Sequence, residues 1–295
     1  MKISGFTFVR NAVVFSYPLI ESLSSLLPLC DEVIIVAGKS DDNTFEVLKS
    51  IQHPKIKIFE TEWDMNLKKG GIIYSQQTNL ALEKCKGDWC IYLQADEVLH
   101  EKDYDLILND IQYINKNPDI DGMLFRYKHF YGSYDYIGVG RQWYRREIRA
   151  FRNSGNIISW GDAQGFRKEV GGKYEKLKAI QSEAEVFHYG WVRPPKAQSK
   201  KIRITGNYYH EHVNNNIDEI GETEFDYSSA YELTKFNGTH PAIMKSKIEA
   251  DKIWTSKFQA NKLKNRPFLY KLTDGIEKMT GYRIGEFKDF IEVKM

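Results

Sequence analysis

Within the first hundred residues, short unbroken apolar runs alternate with segments of helical period, and that alternation constrains the fold more than any other feature. The runs are Ile3 to Val9, Glu32 to Ala37 and Trp89 to Ala95, and Lys55 to Phe59 adds a strand in which Ile56 and Ile58 alternate with lysines. A strand that is apolar at successive positions is buried on both faces, as in a mainly parallel sheet covered by helices. Pro18, at a helix N1 position, opens a segment in which Leu19, Ile20, Leu23, Leu26 and Leu27 recur at helical spacing until Pro28. Asp42 or Thr44 caps a short helix carrying Phe45, Val47 and Leu48, and a longer helix runs from about Ile72 to Lys84. In sheets of this kind ligands bind beyond the carboxyl ends of the strands. The residues there are Arg10 and Asn11, Gly38 to Asp42, Glu60 to Trp63, and Gln94 to Glu97.

A helix from about Lys102 to Asn115 is followed, near Asp121, by a change of pattern. Met123 to Phe130, Tyr134 to Tyr144 and Glu147 to Phe151 read as aromatic strands, and glycine and polar residues then dominate up to about Gly172. Ala184 to Tyr189 reads as one more short strand. From Pro195 onward the pattern is helical, with polar joints at Asn214 to Asn216 and Asn237 to Pro241, and there is no internal repeat.

Composition removes several classes of function. With 42 basic and 40 acidic side chains among 295 residues the net charge is only +2, so a bulk nucleic-acid binder is not expected. Cys30, Cys85 and Cys90 are an odd set in apolar stretches, without metal-ligand spacing, which fits a reducing compartment. No apolar run approaches the roughly 20 residues of a membrane span, and Gly5, Arg10 and Asn11 break the N-terminal one. The expectation is a cytoplasmic chain without signal peptide or transmembrane helix. From Pro241 to Met295, ten Lys and two Arg face seven acidic residues. Such a stretch reads either as a solvated helical face or as a surface resting near anionic lipid or an anionic acceptor.

The segment richest in chemistry is Tyr92-Leu93-Gln94-Ala95-Asp96-Glu97-Val98-Leu99-His100. Adjacent carboxylates just past an apolar strand repel each other unless a cation or donor network compensates them. A divalent metal bridging a diphosphate is one such compensation; capping of the next helix is the structural alternative. In the second half, Val186-Phe187-His188-Tyr189-Gly190-Trp191-Val192-Arg193 places His188 on one strand face with Val186. His188 is then either a hydrogen-bonded core residue or a ligand. Trp191 can meet a sugar face or only pack, and Arg193 can bind phosphate or pair with an acid.

Taken together, Phe8-Val9-Arg10-Asn11, Gly38-Lys39-Ser40-Asp41-Asp42-Asn43-Thr44, Lys69-Gly70-Gly71 with Gln77-Thr78-Asn79-Leu80-Ala81-Leu82, and Gly87-Asp88-Trp89 leading to Gln94-Ala95-Asp96-Glu97 resemble the N-terminal half of family-2 glycosyltransferases. The resemblance covers roughly residues 1 to 130, continues weakly to about 195, and is strongest to bacterial enzymes that build lipopolysaccharide core or other surface glycans.

It implies an α/β fold of GT-A type: a Rossmann-like, mainly parallel sheet with helices on both faces and a mostly helical C-terminal region. Residues 1–195 would form the nucleotide-sugar-binding catalytic domain, and 196–295 would cover the acceptor side, touch the inner membrane face or pair two subunits. The donor, a UDP- or GDP-sugar, would meet Arg10, Asp42, Lys69, Asn79, Gln94, Asp96, Glu97, Trp191 and Arg193. Mn2+ or Mg2+ would be held by Asp96, in the place of the last acid of an Asp-x-Asp motif, and by His188. The acceptor would be a glycan or lipid-linked glycan. Two departures stand out: Gln94 replaces the motif's first Asp, and Ala37 and Gly38 replace the acid pair usual after the second strand. They keep open a second reading, a catalytically silent sugar- or nucleotide-binding module.

An inverting transferase needs a carboxylate to take the acceptor's proton. Asp162, in Ser159-Trp160-Gly161-Asp162-Ala163-Gln164, is the first choice, with Glu183 and Glu185 as competitors and a plain turn acid as the structural alternative. His210 and His212, two apart on a helical pattern, diverge and are not read as a metal site. Gly70-Gly71 lacks the Lys and Ser/Thr spacing of a phosphate loop.

Overall fold

The computed structural model describes residues 1–67, 69–209, 223–230, 232–260, 273, 275–277, 279–280, 283–286 and 288–294. His210, His212 and the joint at 214–216 lie outside these residues. The first half builds as the apolar runs require. Strands β1 (Ile3–Val9), β2 (Glu32–Gly38), β3 (Ile56–Thr61) and β4 (Trp89–Tyr92) are joined by helices α1 (Leu19–Leu26), α2 (Thr44–Ser50) and α3 (Ile72–Leu82). They form a parallel sheet in the order β3-β2-β1-β4.

The continuous hydrophobicity of β2 has a direct cause. Val33, Ile35 and Ala37 pack into one core with Leu19, Leu23 and Leu26 of α1, while Ile34 and Val36 pack into a second with Ala81 and Leu82 of α3. Each buried aliphatic side chain contributes about 1.5–3 kcal/mol, so the strand is stabilised from both faces at once. Helix α4 (Tyr104–Asn115), entered through a short turn of 3-10 helix, adds Ile107, Ile111 and Ile114 to the α1 side.

Beyond β4 the chain changes character. Strand β5 (Glu97–Leu99) is followed by β6 (Gly122–Tyr131), β7 (Ser133–Gly138), β8 (Arg146–Arg152), β9 (Ile157–Trp160), β10 (Gly165–Val170) and β11 (Lys173–Trp191). The main sheet continues β4-β8-β6-β11-β10-β9, antiparallel except for β6 with β11.

Two expectations about this half change. The strand expected over 184–189 is the end of a 19-residue strand whose first half alternates buried Leu177 and Ala179 with exposed lysines, so its charge hides it. The strand expected to reach Tyr144 stops at Gly138, because the Trp143 indole folds back onto it. A Cβ at residue 138 would lie 2.1 Å from Trp143 Nε1.

After β11 come α5 (Pro195–Gly206), β12 (Leu233–Lys235), α6 (Lys245–Thr255) and β13 (Phe290–Glu292). The last of these pairs in parallel with Leu177 to Ala179 of β11. Among the described residues no helix is long and apolar enough to cross a membrane. Cys30, Cys85 and Cys90 are buried free thiols.

Candidate active site

The tip of β4 and the far end of β11 meet because β5 lies antiparallel on β11, with His188 opposite Glu97. Tyr189 N–H donates to the Asp96 carbonyl at 2.8 Å, which brings residues 93 positions apart into one corner.

The two neighbouring acids then part company. Glu97 is fully buried and saturated: Arg149 donates to it through Nε and Nη2 at 3.1 and 3.0 Å, Tyr127 Oη at 2.7 Å and the Gln94 amide at 3.0 Å. Expected at the donor, it is instead the anchor of a buried ion pair that ties β5 to β8.

Asp96 is also buried, but its carboxylate faces a cleft. Arg193 Nη2 and Lys201 Nζ donate to Oδ2 at 3.1 and 3.2 Å, and His188 Nε2 stands 3.8 Å from Oδ1. Burial opposes ionisation, yet the charges of Lys201 and Arg193 outweigh it and hold the carboxyl well below its ordinary range. Burial, reinforced by Arg193, brings the Lys201 ammonium down to about 8. Arg193 is itself fully buried, with its guanidinium 4.7 Å from the Tyr17 ring and Nη1 on the Phe15 carbonyl.

Hydrogen bonds also determine which nitrogen His188 presents. His129 Nε2 lies 2.7 Å from the Tyr144 carbonyl, which only accepts, so that nitrogen carries the proton. Its Nδ1 is then a lone pair, 2.8 Å from His188 Nδ1, which must donate to it. Burial pushes His129 well below, and His188 down to about 4, so both rings are neutral at pH 7. His188 therefore turns a bare Nε2 toward Asp96 Oδ1. Gly190 keeps the gap open: a Cβ there would sit 2.3 Å from His188 Nε2 and 3.0 Å from Asp96 Oδ2. One carboxylate oxygen and one imidazole lone pair around an open gap suit a Mn2+ or Mg2+ ion whose other ligands come from a substrate.

The cleft spans about 930 Å3 including its open mouth and is walled by Phe8, Trp63, Tyr74, Tyr208 and Tyr209. Of the expected donor residues, Arg10, Gln94 and Asp96 line it, as does Asp162. Arg10 is fixed by the Lys39 carbonyl at 2.8 Å, Tyr208 Oη at 3.1 Å and Asp41 at 3.3 Å. Where an acid pair would follow the second strand, Trp63 lies across Gly38, whose Cβ would be 2.2 Å from the indole nitrogen.

The other expected residues lie elsewhere. Asp42 accepts from Val14 N at 2.7 Å and Thr44 N at 3.0 Å, tying the β1–α1 loop to the start of α2. Asn79 exchanges two bonds with the Ser159 backbone, at 2.7 and 3.2 Å, and so holds the hairpin that carries Asp162. Lys69 is exposed outside the cleft lining, and Trp191 borders a neighbouring cavity.

Asp162 sits at the tip between β9 and β10, next to Gly161 and Ala163 in left-handed conformation, with Tyr209 Oη donating to it at 3.2 Å. Its competitors point away: Glu183 pairs with Arg126, and Glu185 with Lys102 and Lys128.

The sequence reading missed Lys201, Tyr208 and Tyr209. A signal existed, since Gln198, Lys201, Ile204 and Tyr208 share the buried face of α5 and its extension, and that spacing turns Lys201 inward. Among the described residues no three His, Cys, Asp or Glu side chains gather into a metal cluster. Asp96 and His188 are thus a two-donor arrangement that a bound substrate would complete.

Comparison with known proteins agrees with the chain's architecture. The profile described as "Glycosyl transferase family 2" matches residues 11–174, more than half of the chain. No curated protein sequence matches it. Similar solved structures include S. aureus TarS, at 15% identity over 69% of this chain and 39% of that one, with a TM-score of 0.42. A TarS fragment in complex with UDP-GlcNAc gives 14% identity over 69% and 65%, with a TM-score of 0.38. Mannosyl-3-phosphoglycerate synthase from Rubrobacter xylanophilus gives 20% identity over 48% and 43%, with a TM-score of 0.32. The chain spans only 36 to 39% of the length of the first TarS chains it matches. By its family profile and its GT-A type α/β fold, the chain belongs to glycosyl transferase family 2.

Proposed function

We propose that this glycosyltransferase moves a sugar from a nucleotide-sugar to a hydroxyl of a glycan or lipid-linked glycan with inversion, in the synthesis of bacterial surface polysaccharide. One observation carries the reading. Asp96, Lys201, Arg10 and Asp162 line a single cleft beyond the ends of the parallel strands, with Arg193 behind Asp96.

A donor diphosphate entering this cleft meets the cations of Lys201 and Arg10, while Arg193 keeps Asp96 ionised and oriented. Asp96 Oδ1 and His188 Nε2 would hold Mn2+ or Mg2+, whose positive charge would act as a Lewis acid on the departing phosphate. Asp162 accepts the proton of the acceptor hydroxyl as its oxygen bonds to the anomeric carbon. The bond from that carbon to the phosphate oxygen breaks, the nucleoside diphosphate leaves with the electron pair, and displacement from the opposite face inverts the centre. Trp63 and Tyr208 offer ring faces to a base.

In this reading residues 1–195 are the catalytic domain, and 196–295 cover it, with α5 contributing Lys201. That cover is also the part suited to rest on the inner face of the cytoplasmic membrane or to pair two subunits.

The test is turnover of UDP- and GDP-sugars, as transfer or slow hydrolysis, by the wild type and Asp162→Asn. Turnover by the wild type and its near loss in the variant, with nucleotide binding intact, supports the assignment. Full activity of Asp162→Asn removes Asp162 as the base, and turnover of no donor removes the transferase reading of this cleft.

A further inference from the structure

Next to the Asp96 cleft lies a second cavity of about 710 Å3 including its open mouth, bordered by His129, Tyr131, Gln142, Trp143, His188 and Trp191. Tyr144 and Gln164 line both spaces, so the two adjoin through these side chains. His188 lies at the border, its Nε2 3.8 Å from Asp96 Oδ1.

The lining has an unusual composition for a place beside so many charges. Among the described residues its lining contains no Asp, Glu, Lys or Arg. Aromatic rings form one part: Trp191 stacks on Tyr131 at 5.8 Å and meets Trp143 edge-on at 6.0 Å. The amides of Gln142 and Gln164 form the other, and among the described residues neither side chain bonds to another protein group.

These features select a class of ligand. An anion finds no cation here, and a lipid chain would strand two amides, at about 1–3 kcal/mol for each polar group left buried and unpaired. A neutral pyranose matches both parts: its axial C–H face is apolar and suits an indole, while its hydroxyls donate to and accept from amides.

We propose that this cavity is the acceptor subsite and that it binds a neutral pyranose unit, held by Trp191 on its apolar face, with the buried Trp143 as a side wall, and by Gln142 and Gln164 at its hydroxyls. The proposal rests on the transferase reading and gives its acceptor a chemistry: the reacting sugar is uncharged. Its hydroxyl faces the boundary at His188 and Gln164, where the donor cleft begins.

The experiment is saturation-transfer NMR on the full chain with methyl β-D-glucopyranoside, methyl α-D-mannopyranoside and methyl N-acetyl-β-D-glucosaminide, with inorganic phosphate competition and UDP thermal shift run in parallel. At least one pyranoside should receive saturation, strongest on ring C–H protons, and phosphate should leave it unchanged. Trp191→Ala should weaken binding roughly tenfold, and Gln142→Ala, at an exposed position, should weaken it roughly two- to fivefold. Both variants should keep the wild-type response to UDP, which also shows that they fold.

The proposal is overturned if no pyranoside binds the wild type, if phosphate displaces it, or if binding survives in both variants. Failure of UDP to shift the wild type, with pyranoside binding intact and dependent on Trp191, instead counts against the donor reading and leaves the saccharide site standing.

Discussion

Asp96 and Glu97 are neighbours in sequence, both are buried, and they occupy two chemically opposite regions. Around Glu97 every contact closes on protein: a bidentate arginine, a tyrosine hydroxyl and a main-chain amide leave nothing to offer a ligand. Around Asp96, Oδ2 is taken by two cations, but Oδ1 faces a bare imidazole nitrogen across a gap that only a glycine keeps clear. The difference is one of saturation rather than burial. A buried charge whose hydrogen bonds are all made supports the fold, and one left with an open side and a cavity in front of it can bind.

Substitutions on either side can break this contrast. The largest effect is expected for Asp162→Asn, which removes the carboxylate proposed as base across the cleft from Asp96: kcat should fall by roughly 10^2 to 10^4 with the melting temperature and nucleotide affinity nearly unchanged. Steady-state kinetics beside a melting curve would detect it. Glu97→Ala should do the reverse, leaving Arg149 buried without its partner and costing about 3–5 kcal/mol of stability, visible as a lowered urea midpoint. If that variant keeps its stability and loses only transfer, the division of roles between the two acids is wrong.

Asn79→Ala sharpens the comparison from a distance. Two bonds to Ser159 are lost, at about 1 kcal/mol each, and the Asp162 hairpin loosens, so kcat should decline while nucleotide binding does not. Denaturation and kinetics on the same preparation would separate the two effects.

The smallest change at acid pH is expected for Glu147→Gln. Burial, with only Arg149 opposing it, raises the Glu147 carboxyl to about 8, and Asp289, Glu97 and Asp162 add to the rise. The folded state therefore holds a proton that the unfolded chain releases near pH 4.3, so the contribution is full below that pH and is lost as pH rises through about 8. Stability curves from pH 5 to 8 should fall less steeply in the variant than in the wild type.

Much of the first half was legible because the physics was local. Runs such as Val33 to Ala37 could only be covered on both faces, and the acids after Leu93 had to lie at a strand end. What stayed hidden depended on distant partners. Nothing near Glu97 announces Arg149, 52 positions away, and nothing near Asn79 announces the Ser159 backbone, so both looked like donor contacts. The first half of β11 was missed because its buried Leu177 and Ala179 sit among lysines and glutamates. Lys201 was hidden by Lys200 beside it, and only the helical spacing to Ile204 and Tyr208 distinguishes the inward lysine from the outward one.

In the proposed mechanism Asp96 and His188 hold a divalent cation against a nucleoside diphosphate. A thermal-shift panel of UDP, GDP, CDP, dTDP and CMP, each with and without Mn2+, on the wild type and Asp96→Asn tests it most directly, since a ligand of the native state raises stability by RT ln(1 + [L]/Kd). One diphosphate should shift the wild type more with Mn2+ than without, and the metal-dependent part of that shift should be absent in Asp96→Asn. A diphosphate shift of equal size with and without Mn2+, or one that Asp96→Asn leaves intact, would contradict it.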